Sequence, residues 1–140
     1  LRDELIPIAY LVTPNRHEAA KLSGISVTDL NSMREAAKRL EQLGAKNVLI
    51  KGGKQGGVAL DVLLSDGEFT NLEEAYVETQ NTHGSGCVLS AAIASGLAHE
   101  LDLVTAVLNA KDFVTRGIRQ SEGIGNGRGP LNLHIEADSQ

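Results

Sequence analysis

Short aliphatic runs alternate along the chain with stretches of helical periodicity, the pattern of an α/β layered fold. Ala9-Tyr10-Leu11-Val12-Thr13 is a continuous β-type run stopped by Pro14, and it reads as a buried strand. A short helix is predicted over His17 to Leu22, ending at Gly24. In the next segment Val27, Leu30, Met33, Ala37, Leu40 and Leu43 recur at helical spacing and give one apolar face. Ser26, Thr28 and Asn31 are candidate caps for that helix, and Gly44 is its stop. Asn47 to Lys51 reads as a second buried strand, broken by Gly52-Gly53. Val58 to Leu64 is a third, and Asp66-Gly67 predicts a hairpin turn into a strand near Glu68 to Leu72. A further extended stretch is expected over Ala75 to Glu78.

Two strong helices complete the pattern. From Gly86 to about His99, Val88, Leu89, Ala92, Ile93, Gly96 and Leu97 form an apolar stripe. Ala91, Ala94 and Ala98 keep its other faces small, which predicts burial on several sides. Asp102 caps the last helix, with Leu103, Val107, Ala110, Val114 and Ile118 turned inward. Gly123 to Pro130 is read as loop, and the glycine-rich ending as a flexible closing loop.

Composition narrows the classes. A chain of 140 residues is long enough for one domain with a real core. Aromatic residues make up only 3%, so that core must be aliphatic. A net charge of -5 argues against nucleic acid as a partner, since backbone binding needs a clustered basic surface. No apolar run approaches the roughly 20 residues that span a bilayer, and no signal peptide is visible. Cys87 is the single cysteine, which excludes an internal disulfide framework. A cytoplasmic protein with no membrane partner is expected. The chain begins Leu1-Arg2-Asp3 and its one methionine is Met33, so it is expected to be processed or part of something longer.

The most informative stretch is Thr79-Gln80-Asn81-Thr82-His83-Gly84-Ser85-Gly86-Cys87, just before the first strong helix. Its glycines allow a tight backbone whose N–H groups converge, and the helix adds its positive end, which suits a phosphoryl anion. Ser85 offers a hydroxyl, and Cys87 falls in the first turn, where a thiolate is favoured. The same spacing also suits an ordinary strand-to-helix turn with a small core cysteine. Likewise Asn15 suits a turn residue, Glu18 a solvated first-turn acid, and Lys51 a surface lysine at a strand end.

Asn81-Thr82-His83-Gly84-Ser85-Gly86-Cys87 resembles the Asn-Thr-His-Gly-Thr-Gly-Cys motif of the hydroxymethylpyrimidine phosphate kinases, with Ser85 in place of Thr. These are small-molecule kinases of the ribokinase-like superfamily. Thr13-Pro14-Asn15-Arg16-His17-Glu18-Ala19 is similar to the family's Thr-Pro-Asn-x-x-Glu-Ala. Val48-Leu49-Ile50-Lys51-Gly52-Gly53 is similar to its Val-Lys-Gly-Gly, and Gly125 to His134 to its glycine-rich ending. The likeness runs from about Leu5 to His134, and a complete member has a comparable stretch upstream.

The resemblance implies a three-layer α/β/α ribokinase-like fold, of which residues 1–140 are the C-terminal part of a single kinase domain. It implies ATP-dependent phosphorylation of hydroxymethylpyrimidine phosphate, and of free hydroxymethylpyrimidine, in thiamine biosynthesis. Cys87 and Lys51 are the implied catalytic residues. Gly84, Ser85, Gly86, Thr79 and Asn15 are implied at the phosphates and ATP, and Glu18 at Mg²⁺ through water. A homo-oligomer is expected. The alternatives are a pyridoxal or pyridoxine kinase sharing the Cys-type motif, and a non-catalytic nucleotide-binding half-domain. His83 and His134 are motif positions with no derived role, and His17 and His99 read as surface histidines.

Overall fold

The computed structural model describes residues 2–121 and 129–135. The chain divides into two compact units, Leu1–Tyr76 and Val77–Gln140. Most of the predicted loop Gly123 to Pro130 lies outside the described residues.

The first unit opens with a single helical turn, α1 (Arg2–Leu5), and a 3₁₀ turn over Ile6–Ile8. Helices α2 (Arg16–Ser23) and α3 (Leu30–Gln42) follow, then strands β1 (Asn47–Gln55), β2 (Val58–Ser65) and β3 (Glu68–Ala75). The strands form an antiparallel sheet in the order β1-β2-β3. Asp66 and Gly67 turn between β2 and β3 with φ of 50° and 77°, the left-handed pair that a two-residue hairpin needs. Gly24 ends α2 in the same region at φ 76°.

Three sequence expectations are corrected here. The run Ala9 to Thr13 is not a buried strand. It lies beside β1 through isolated parallel bridges at Val12↔Val48 and Asn15↔Lys51, and Tyr10 is 48% exposed. Only one edge of the run is paired among the described residues, so it gains no second neighbour to bury it. The cap of α3 is Asp29, since its carboxylate accepts from the Ser32 N–H while the Ser32 hydroxyl accepts from the Asp29 N–H. Finally, Gly52-Gly53 does not break β1, which continues through them to Gln55.

One face of the sheet presents Val48, Ile50, Val62 and Leu64 to Ala19 of α2 and to Met33, Ala36, Ala37 and Leu40 of α3. Leu49 and Leu63, paired across β1 and β2, point to the other face and are also fully buried. Burial on both faces explains why these strands read as unbroken aliphatic runs rather than alternating ones. Each such side chain contributes about 1.5–3 kcal/mol by leaving water. Buried Asn47 fixes the register at the start of β1. Its amide donates to the Tyr10 carbonyl at 2.8 Å and its Oδ1 accepts from the Ser65 hydroxyl at 2.8 Å.

The second unit is built on α4 (Ser85–Ala98) and α5 (Leu103–Arg119). They approach closely at Gly96, where a Cβ would lie 3.1 Å from that of Ala106. Asp102 caps α5 by accepting from the Thr105 N–H, as the sequence predicts. Leu103, Val107, Ala110 and Val114 are buried. In α4 only Leu89 and Ile93 are buried, while Ala91, Ala94 and Ala98 are exposed, so the expected burial on several sides is not found. Small side chains permit close packing without requiring it. The expected flexible closing loop lies mostly outside the described residues, and contacts are seen in its described part, residues 129–135. Asn132 donates to the Gly117 carbonyl at 3.0 Å, Leu131 is buried, and Pro130 bridges His83.

Candidate active site

The residues singled out in the sequence fall into two clusters, one in each unit. In the first unit, Pro14 and Asn15 lie alongside the middle of β1. The Lys51 N–H donates to the Pro14 carbonyl at 2.9 Å, and Asn15 bridges Lys51 in parallel. Asn15 then caps α2 in a reciprocal box. Its Oδ1 accepts from the Glu18 N–H at 2.9 Å, and Glu18 Oε2 accepts from the Asn15 N–H at 2.7 Å. The Asn-x-x-Glu spacing is thus a helix start, and it leaves Glu18 Oε1 outside the capping box on an exposed side chain. Half-buried Lys51 carries an ammonium with no ion pair or hydrogen bond among the described residues. An open cleft of about 440 Å³ is lined by Val12, Thr13, Pro14, Glu18, Lys21 and Leu22. Its walls are mainly apolar, which does not suit a phosphate.

The second cluster is the turn into α4. Thr79 accepts from the Asn81 N–H at 3.1 Å, and the His83 N–H donates to the Gly129 carbonyl at 3.3 Å. Gly84 takes the N-cap position at φ 80°, a conformation open to glycine, and no side chain caps the helix. The Ser85 N–H turns back to the Thr82 carbonyl at 3.2 Å, which leaves its hydroxyl as the group it can offer a ligand. The N–H groups of Gly84, Gly86 and Cys87 meet no acceptor among the described residues. Unpaired first-turn amides at the positive end of a 14-residue helix favour an anion. Cys87 is exposed at the same turn, not sealed in the core. His83, His17, His99 and His134 are all exposed, and no group of three or more metal-ligating side chains occurs among the described residues.

Two participants were not read from the sequence. Gly129 sits so close to Asn81 that an added Cβ would overlap its amide oxygen, so this glycine seats the turn. Asp61, buried in β2, accepts from the Gly52 N–H at 3.0 Å. A lone carboxylate inside the aliphatic run Val58 to Leu64 was the available signal.

The model of the phosphomethylpyrimidine kinase family matches residues 1–132. The chain belongs to this family. It is 45% identical over 139 residues to the thiamine biosynthesis bifunctional protein ThiED of Geobacter sulfurreducens, covering 99% of this chain and 28% of that protein. It is 44% identical to the hydroxymethylpyrimidine/phosphomethylpyrimidine kinase of Haemophilus influenzae, covering 94% of this chain and 51% of that one. The chain therefore spans about half the length of single-function relatives such as this one. Among solved structures, the ADP complex of Bacillus subtilis pyridoxal kinase aligns with a TM-score of 0.90 at 38% identity, over 95% of this chain and 51% of that one. A phosphomethylpyrimidine kinase from Clostridium difficile 630 aligns at 0.69 and 35%, over 84% of this chain and 47% of that one. The α/β ribokinase-like fold expected from the sequence is borne out.

Proposed function

We propose that this chain is the C-terminal part of a kinase domain that transfers phosphate from ATP to hydroxymethylpyrimidine phosphate, and to hydroxymethylpyrimidine, in thiamine biosynthesis. The observation that carries the reading is the turn into α4, where three amides meet no acceptor among the described residues beside an exposed thiol. Phosphoryl transfer asks a protein chiefly for positioning and for charge stabilisation, and this turn offers both. The amides of Gly84 and Gly86 and the Ser85 hydroxyl receive the phosphoryl oxygens, while Thr79 shapes the loop through Asn81. Cys87 accepts the proton of the substrate hydroxyl or completes the anion hole. Solved relatives named as complexes with ADP and AMP-PCP support a nucleotide as donor.

In the first unit, Lys51 supplies a free positive charge for the phosphates, and Asn15 holds Glu18 in place. Mg²⁺ is hard and keeps several of its waters, so one carboxylate oxygen outside the capping box fits it through water and not as a cage. Glu18 Oε1 is that oxygen, and the ion would neutralise phosphate charge. No helix among the described residues is long and apolar enough to cross a membrane. A cytoplasmic enzyme with a small-molecule substrate accords with this. A homo-oligomer belongs to the same reading, with exposed Ile8 and Tyr10 as apolar surface available for self-association.

The test is a coupled ATPase assay on the complete gene product with hydroxymethylpyrimidine phosphate and pyridoxal as competing acceptors. Preferred turnover of the pyrimidine supports the proposal. Preference for pyridoxal refutes the substrate, and no transfer to either favours a non-catalytic nucleotide-binding half-domain.

A further inference from the structure

We propose that Asp61 is a positioning residue that sets the direction of Lys51 by holding the backbone immediately after it; this rests on the kinase reading above. The register of β1 against β2 runs in step as far as Lys51↔Asp61 and resumes at Lys54↔Ala59. Gly52 and Gly53 therefore oppose Leu60 alone, which is a β-bulge. Both positions favour glycine, for different reasons. A Cβ on Gly52 would overlap the Leu60 carbonyl oxygen and lie 2.7 Å from Met33 Cε, while Gly53 sits at φ +65°.

A bulge interrupts the ladder and leaves an amide without its cross-strand carbonyl. At this bulge Asp61 Oδ1 receives the Gly52 amide at 3.0 Å in a buried site. The residue lending its carboxylate is the direct cross-strand partner of Lys51, so both side chains leave the same face of the sheet. Lys51 is thus fixed from two sides. Its own N–H is held by the Pro14 carbonyl, and the peptide that follows it is held by Asp61. Asp61 is only 8% exposed, and a buried carboxylate is costly where an aliphatic residue would pack as well. Fixing the bulge is a use that the cost can serve, since bulges re-aim side chains beside active sites.

The experiment is a double-mutant cycle in the complete gene product, Asp61→Ala and Lys51→Ala singly and together, with kcat and KM measured for the pyrimidine acceptor. Asp61→Ala is expected to lower kcat by about 10-fold or more, as small misplacements do, with KM little changed. Asp61→Asn keeps an acceptor for the Gly52 amide and should recover kcat to within about 3-fold of the wild type. In the Lys51→Ala background, Asp61→Ala should cost nothing further. An equal loss in both backgrounds, or an Asn variant as poor as Ala, overturns the proposal. If Asp61→Ala does not fold, Asp61→Glu displaces the acceptor by one methylene and is read in the same cycle. A wild type without transfer activity would refute the kinase reading separately. The contact itself is then decided by hydrogen exchange of the Gly52 amide, fast in Asp61→Ala and slow in Asp61→Asn if the assignment holds, and unchanged in both if it fails.

Discussion

Replacing Gly52 by alanine tests the bulge at its tightest point. The added Cβ would overlap the Leu60 carbonyl oxygen, which is backbone and cannot step aside, and would crowd Met33 Cε, which can. Overpacking of this kind costs about 1–3 kcal/mol. Opening the bulge also pulls the Gly52 amide from Asp61, and losing a hydrogen bond to a charged group costs about 1.5–3 kcal/mol. Together these come to about 2.5–6 kcal/mol, a large share of the stability of a small unit. Gly53→Ala is the internal control. It meets nothing within 4 Å but must hold φ +65°, so it pays only the left-handed penalty of about 1–2 kcal/mol. Urea and thermal unfolding followed by circular dichroism should show Gly52→Ala losing on the order of 15 °C and Gly53→Ala about 5 °C. A Gly52→Ala protein as stable as the wild type, or more stable than Gly53→Ala, would refute the reasoning.

Three further outcomes are expected. Gly129→Ala should displace the Asn81 side chain and speed hydrogen exchange at the His83 amide, and Asn81→Ala added to it should restore protection; no change at His83 would count against the tether. Bonds from the backbone and hydroxyl of Ser32 hold Asp29 below the ordinary aspartate value of 3.8, and the hydroxyl and backbone of Thr105 do the same for Asp102. A lowered folded value means stability that is fully present above the ordinary value and lost as pH falls through the folded one. Melting temperature should therefore drop below about pH 4, and less so in Asp29→Asn/Asp102→Asn, where the acid limb is removed. Cys87 should react completely with a thiol reagent in the folded protein, and a thiol that reacts only after denaturation would contradict its exposure.

Much of the fold is legible because its strands are buried on both faces and its helices carry clear stripes. Leu49 and Leu63 make β1 and β2 read as aliphatic runs, and Asp66-Gly67 announces the hairpin chemically. What was misread depends on partners distant in sequence. Gly52-Gly53 looks like a stop until Leu60 and Asp61 stand opposite, when it becomes a bulge. Asp29 outcompetes Ser26, Thr28 and Asn31 as cap because Ser32 completes its box, a matter of local geometry and not of residue type. The exposure of Ala91, Ala94 and Ala98 could not be foreseen, since a small apolar residue is equally at home on either side of a helix. Of the candidate site, residue types and their spacing were readable. That the amides of Gly84, Gly86 and Cys87 meet no acceptor among the described residues, and that the Ser85 amide turns to Thr82, required coordinates.

The central claim is that the turn into α4 is where the phosphoryl group and the substrate hydroxyl meet, with Cys87 beside them. Steady-state turnover of hydroxymethylpyrimidine phosphate by the complete gene product, wild type against Cys87→Ala, measures it most directly. A fall in kcat of about 10²-fold or more, as loss of a general base gives, is the predicted result. Equal turnover in the two proteins would contradict it.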